Sequence, residues 1–153
     1  MEIRFTLNSI EQSIEITKSQ TLFDYLRNSG IKSVKYGCDD GRCGACAVLI
    51  DNKAFNSCLI LMHTLNGKTV ETIENFGGNR ELHPLQKQFI DEGAIQCGYC
   101  TPGMLISLEA LNRENQNPNE DEIKDALAGN LCRCTGYVKP ILAAKSTKEH
   151  ENE

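Results

Sequence analysis

The sequence predicts an α+β fold in two parts, a small mixed sheet followed by a helical half. Three observations predict it. Apolar residues in the first half alternate with a period of two. The period changes to about 3.6 after Phe76-Gly77-Gly78-Asn79. The cysteines divide at the same place, four before it and four after it.

Each element has a local reason. Ile3, Phe5 and Leu7 alternate with polar residues, and Ile14 and Ile16 do so after a polar turn, which reads as a hairpin with one buried face. Thr21 is placed to cap a helix, with Asp24 three residues on, apolar Leu22, Phe23 and Leu26, and Gly30 at its end. A Gly- and Cys-rich loop follows. Ala47 to Ile50 is an apolar run that fits a buried strand, Asp51-Asn52-Lys53 a turn, and Ala54 to Leu59 the returning strand. Asn66-Gly67 marks another turn before a last strand over Thr69 to Ile73. In the second half, His83-Pro84 opens a helix that ends near Gly93. Thr101 caps another, with Pro102 at its first position. Asn119, after the break at Asn117-Pro118, caps a third that carries Ile123 and Leu127 and ends at Gly129. A fourth begins near Val138 and runs through Ile141 and Leu142. The expected division is 1–76, 77–145 and a mobile polar tail at 146–153, with the Gly-Gly stretch as linker.

A domain of about 75 residues buries too little surface to be comfortably stable unaided, and bound metal is one remedy. The chain has 153 residues and a net charge of −5, with no basic stripe, which argues against nucleic-acid binding. No segment reaches the ~18 apolar residues of a membrane span. Met1-Glu2-Ile3-Arg4-Phe5 lacks a signal-peptide pattern, so a cytoplasmic location is expected. Eight cysteines in a reducing compartment point to metal or redox chemistry rather than disulfides.

The first four, Cys38, Cys43, Cys46 and Cys58, have the C-x4-C-x2-C…C spacing of plant-type 2Fe–2S ferredoxins. Zinc sites more often show two short pairs. Gly37, Gly41 and Gly44 flank these ligands, where backbone must curl around a compact anion, and a neighbouring strand is expected to supply Cys58. The second four are Cys97 and Cys100 in a C-x2-C pair, and Cys132 and Cys134 in a C-x-C pair. Each pair precedes a predicted helix, whose N-terminus favours an anionic cluster. On spacing alone, this group suits iron–sulfur and zinc equally.

The motifs Gly37-Cys38-Asp39-Asp40-Gly41-Arg42-Cys43-Gly44-Ala45-Cys46, Gln96-Cys97-Gly98-Tyr99-Cys100-Thr101-Pro102-Gly103 and Leu131-Cys132-Arg133-Cys134-Thr135-Gly136-Tyr137 strongly resemble the iron–sulfur part of the xanthine dehydrogenase family of molybdenum hydroxylases. The resemblance spans the chain from Met1 to about Ala144. It implies a ferredoxin-like β-grasp domain followed by a four-helix-bundle domain, each with a 2Fe–2S cluster. It implies a large molybdopterin-binding subunit and a medium FAD-binding subunit as partners. It also implies electron flow from molybdenum to the Cys97, Cys100, Cys132 and Cys134 cluster, then to the Cys38, Cys43, Cys46 and Cys58 cluster, then to flavin. Gln96 and Cys134 match family positions against the pterin and are candidate pterin contacts.

Other residues carry weaker signals. Arg42 and Arg133 sit beside ligands, either tuning the clusters or lying at the surface. Tyr99 and Tyr137 read as packing residues more than as shields. His63, His83 and His150 read as structural or surface groups. No nucleotide-binding loop or nucleophilic triad is present, so the chain has no substrate site of its own by sequence. Two rival functions are a free-standing two-cluster ferredoxin shuttle and a structural zinc protein.

Overall fold

The structure is a computed structural model that describes residues 1–16, 19–77 and 81–150, with side chains to Thr147. The chain forms β1 (Glu2–Leu7), β2 (Ile10–Glu15), α1 (Leu22–Asn28), β3 (Ala47–Ile50), β4 (Lys53–Asn56) and β5 (Thr69–Glu71), then α2 (Pro84–Asp91), α3 (Thr101–Glu114), α4 (Glu120–Leu127) and α5 (Val138–His150). The sheet order is β2-β1-β5-β3-β4. β1 runs parallel to β5; the other pairs are antiparallel. The two tight hairpins turn at Asn8-Ser9 and Asp51-Asn52, all four residues with positive φ, the twist that two-residue hairpins prefer.

One face of the sheet buries Ile3, Phe5, Leu7, Val48, Ile50 and Val70 against Leu22 and Leu26 of α1, with Met62 and Leu65 closing the core. Thr21 caps α1 by accepting from the Asp24 N–H at 3.1 Å. The other face of β3 supplies Ala47 and Leu49 to the helical core, beside Leu85, Phe89, Met104, Leu108, Ile123, Leu127 and Ala143. β3 is therefore buried on both faces, which is why its sequence is an unbroken apolar run. The helical half packs directly on the sheet through this strand.

Several expectations shift. The returning strand stops at Asn56, and Ser57–Leu59 is a 3₁₀ turn, so Cys58 lies in that turn rather than on a strand. Ser57 is buried, and its hydroxyl (2.8 Å) and N–H (3.2 Å) both donate to the Cys46 carbonyl, which ties the start of this turn to the residue before β3. The last strand ends at Glu71, with Ile73 in a further 3₁₀ turn. Cys100, rather than Thr101, caps α3, and Pro102 is its second residue. The helix expected to end before a polar tail continues to His150: Thr147 is buried and its hydroxyl donates to the Ala143 carbonyl at 2.9 Å. His83 has a specific role, capping α2 in a reciprocal box with Gln86. Gly78 and Asn79, in the expected linker, and the last three residues lie outside the described residues.

Candidate metal centres

None of the eight cysteines is in a disulfide, and the fold gathers them into two sets of four. In the first, Cys38, Cys43 and Cys46 come from the loop between α1 and β3, and Cys58 from the 3₁₀ turn after β4. Cys46 and Cys58 face each other at 3.4 Å, and Cys38 and Cys43 share a side-chain hydrogen bond. The loop is braced by Asn56, whose amide donates to the Gly41 carbonyl at 2.7 Å. Gly41 and Gly44 take positive φ, as the curl of the loop demands. Gly37 does not; there a Cβ would stand 2.8 Å from the Cys43 sulfur.

In the second set, Cys97 and Cys134 lie 3.6 Å apart at the surface, and Cys100 and Cys132 pair half-buried behind them. Cys100 sits at the N-terminus of α3, where free N–H groups and the helix dipole favour negative charge. The Thr135 hydroxyl lies 3.1 Å from the Cys132 sulfur. Tyr137 braces the turn: its hydroxyl donates to the Asn130 carbonyl and accepts from the Cys132 N–H, both at 2.9 Å. Gln96 is exposed beside Cys97.

The surroundings set each thiol differently. The Cys43 N–H donates to the Cys38 sulfur at 3.4 Å and, with the other loop N–H groups, draws that thiol below its usual range. Burial pushes Cys43 up, and pushes Cys58 up to about 12 with Cys46 adding to the effect. The Tyr99 N–H lowers Cys97, helped by Cys134 and by the charge of Lys35. Cys134 is raised, chiefly by its bond with Cys97. Burial also pushes Cys100 up to about 12. Burial opposes ionisation of Cys132 as well, but the hydroxyl and N–H of Thr135 outweigh it and bring the thiol to about 7.

The two arrays suit iron–sulfur clusters. In each, four soft sulfur donors meet as two pairs, as a cluster with two irons and two thiolates per iron requires. Among the described residues no three His, Cys, Asp or Glu side chains close on one point that would hold a single ion. Backbone N–H groups aimed at sulfur stabilise an anionic centre.

Comparison with known proteins decides the family. Residues 5–64 match the profile of the 2Fe-2S iron-sulfur cluster binding domain, and residues 72–145 that of the 2Fe-2S binding domain. The chain is 41% identical over 148 residues to the nicotinate dehydrogenase small FeS subunit of Eubacterium barkeri, covering 96% of this chain and 94% of that one. It is 40% identical over 151 residues to the xanthine dehydrogenase iron-sulfur-binding subunit of Escherichia coli, covering 95% of each. The chain belongs to the small iron–sulfur subunits of the xanthine dehydrogenase family. Among solved structures, aldehyde oxidoreductase from Desulfovibrio gigas superposes with a TM-score of 0.93 at 36% identity, over 99% of this chain and 17% of that longer one. The ferredoxin-like domain followed by a helical 2Fe–2S domain is thereby the fold of this subunit. Its function is electron transfer within an oxidoreductase, and its cofactors are two 2Fe–2S clusters.

Sequence reading missed two residues of this small subunit, Lys35 and Asn130. Lys35, from the first half, reaches across and donates to the carbonyls of Gly98 (3.1 Å) and Tyr99 (3.4 Å), with its ammonium 5.1 Å from the Tyr99 ring centre. The Tyr99 hydroxyl donates in turn to the Tyr36 carbonyl. Asn130 is buried between the two cysteine loops, and Leu131 N–H donates to the Cys43 carbonyl at 2.9 Å. These contacts join residues far apart in sequence, and only the motif neighbourhoods of Tyr99 and Leu131 hinted at them. Arg42, by contrast, is 81% exposed in its side chain and pairs with Asp40 at 2.9 Å, and Arg133 is exposed.

Proposed function

We propose that Cys38, Cys43, Cys46 and Cys58 hold one cluster and Cys97, Cys100, Cys132 and Cys134 the other. In this reading the subunit conducts electrons from a molybdopterin site on a large partner to FAD on a medium partner, in a cytoplasmic complex. The gathering of eight thiols into two sets of two pairs carries the assignment. When bound, the clusters supply one-electron redox chemistry at sites that protein thiolates alone lack.

The chain's own residues supply the rest. The second set opens outward through exposed Cys97 and Cys134, with exposed Gln96 beside them, which supports that edge as the pterin side. Cys43 is buried and Cys132 half-buried, and the backbone carbonyl of Cys43 accepts from the Leu131 N–H across the seam between the two loops. Tyr99, Leu131 and Val138 are 47–62% exposed around the second set, apolar surface that favours a lasting partner over a diffusing shuttle. No helix among the described residues is long and apolar enough to cross a membrane. Full alignment with a small FeS subunit, and with one sixth of a longer chain, supports partners that are sometimes separate and sometimes fused.

Metal analysis tests the assignment. The isolated chain should hold ~4 iron and ~4 acid-labile sulfide, two of each per cluster. Stoichiometric zinc without visible absorption would sink it. Purification from cells should bring two larger chains in fixed ratio; a lone monomer as the only form would favour the shuttle.

A further inference from the structure

The two cysteine loops meet along a short backbone seam. Gly103 is the third residue of α3 and lies three positions after Cys100. Its backbone is ordinary helix, where alanine is the better helix former. Yet a Cβ on Gly103 would stand 2.2 Å from the Gly44 carbonyl oxygen and 3.0 Å from Asn130 Nδ2. Gly44 lies between Cys43 and Cys46 and has φ +68; a Cβ there would stand 2.3 Å from the Gly129 carbonyl oxygen and 2.5 Å from Asn130 Nδ2. Asn130 is 2% exposed and its amide donates to the same Gly44 carbonyl at 3.3 Å. Its Oδ1 is buried with no partner among the described residues. One residue later, Leu131 N–H donates to the Cys43 carbonyl at 2.9 Å. No side chain separates the helix end that carries Cys100 from the loop that carries Cys43 and Cys46.

We propose that Gly103, closing on Gly44 and Asn130, sets the separation of the two cluster sites and is a positioning residue for electron passage between them. The inference rests on the assignment of the eight cysteines as cluster ligands. Gly103 holds no ligand atom. What it provides is the absence of one methyl group, which lets the end of α3 touch the first loop. A methyl there would stand 2.2 Å from the Gly44 carbonyl oxygen, which is backbone and has no rotamer to turn aside, so the seam must open.

The test is low-temperature EPR of the full chain with both clusters reduced. Through-space coupling between two paramagnetic clusters falls with the cube of their separation, so it reports spacing independently of turnover. The unaltered chain should show two signals split by that coupling. Gly103→Ala should retain both signals at full intensity and show a smaller splitting. Gly129→Ala is the control, because a Cβ there has no atom within 4 Å; it should keep the splitting. Unchanged splitting in Gly103→Ala, an equal reduction in Gly129→Ala, or two unsplit signals in the unaltered chain would each overturn the inference while leaving the clusters in place. If Gly103→Ala holds fewer than two clusters, Asn130→Ala decides. That variant removes the amide tie to Gly44 without adding an atom; reduced splitting supports the inference and unchanged splitting overturns it. Absence of iron in the unaltered chain would instead overturn the ligand assignment.

Discussion

Charge at the residue scale is arranged differently from what ligand-adjacent arginines suggest. Arg42 spends its charge on Asp40 in water. Lys35 holds its ammonium against two carbonyls and a tyrosine ring at the edge of the second set, partly sheltered from solvent. A positive charge there favours the more negative, reduced state of a cluster. Lys35→Gln should therefore lower the potential of the second cluster and leave the first nearly unchanged. A charge effect of about 1 kcal/mol, the size of a hydrated pair at ~4 Å, corresponds to ~40 mV for one electron. Redox titration followed by EPR checks it, and Lys35→Arg should keep most of the effect. An equal fall in both clusters would mean that Lys35 acts on the fold rather than on the second site.

Elements were legible where their cause is local. Thr21 and Asn119 cap the helices where the sequence expects them, because a cap is satisfied within three residues; His83 caps α2 although histidine is not a usual cap signal, and Cys100 takes the place expected of Thr101. The continuous run Ala47–Ile50 announced a buried strand. The end of the next strand did not show, because the turn that follows it is held by Ser57 on the Cys46 carbonyl, a contact across eleven residues of sequence. The first cysteine set was legible from spacing as a group, since three of its members share one loop. The second was not, because its two pairs lie 32 residues apart and meet only through helix packing. Lys35 and Asn130 stayed hidden for the same reason, their contacts spanning 63 and 86 residues. One such long-range tie belongs to α3. Arg113 near its C-terminus pairs with Glu71 at the end of β5 at 2.6 Å and with Glu109 at 2.9 Å, and it also donates to Asn52 in the β3–β4 turn. The Arg113 guanidinium, with help from Asn75, holds the Glu71 carboxyl below its usual range. A lowered carboxylate stabilises the fold above its unfolded value of about 4.3 and loses that contribution as pH falls through the lower folded value. Arg113→Ala should cost about 1–3 kcal/mol at neutral pH, the range for a hydrogen-bonded charge left without its partner. The urea midpoint followed by circular dichroism should show a gap between variant and parent at pH 7 that narrows below about pH 4.

The whole molecule is two cluster domains that share a strand and a seam, and this shapes what loss of one cluster does. The second set draws all four sulfurs from residues 97–134, and its braces, Thr135 and Tyr137, follow directly on that stretch. Nothing in that set uses the Cys43 sulfur. What crosses the seam from Cys43 is its carbonyl, which accepts from Leu131, and serine keeps that carbonyl. Cys43→Ser should therefore abolish one EPR signal and preserve the other, now without splitting because its magnetic neighbour is gone. The first domain should loosen, because ligand binding and folding are coupled and its core holds Cys46 among Val48, Leu22 and Met62. The helical core borrows Ala47 and Leu49 from the same β3, so the loosening should reach it as faster amide exchange in α3 and not as unfolding. Loss of both signals would mean that the shared strand makes the two sites one folding unit. Retention of both would mean that Cys43 is not a ligand.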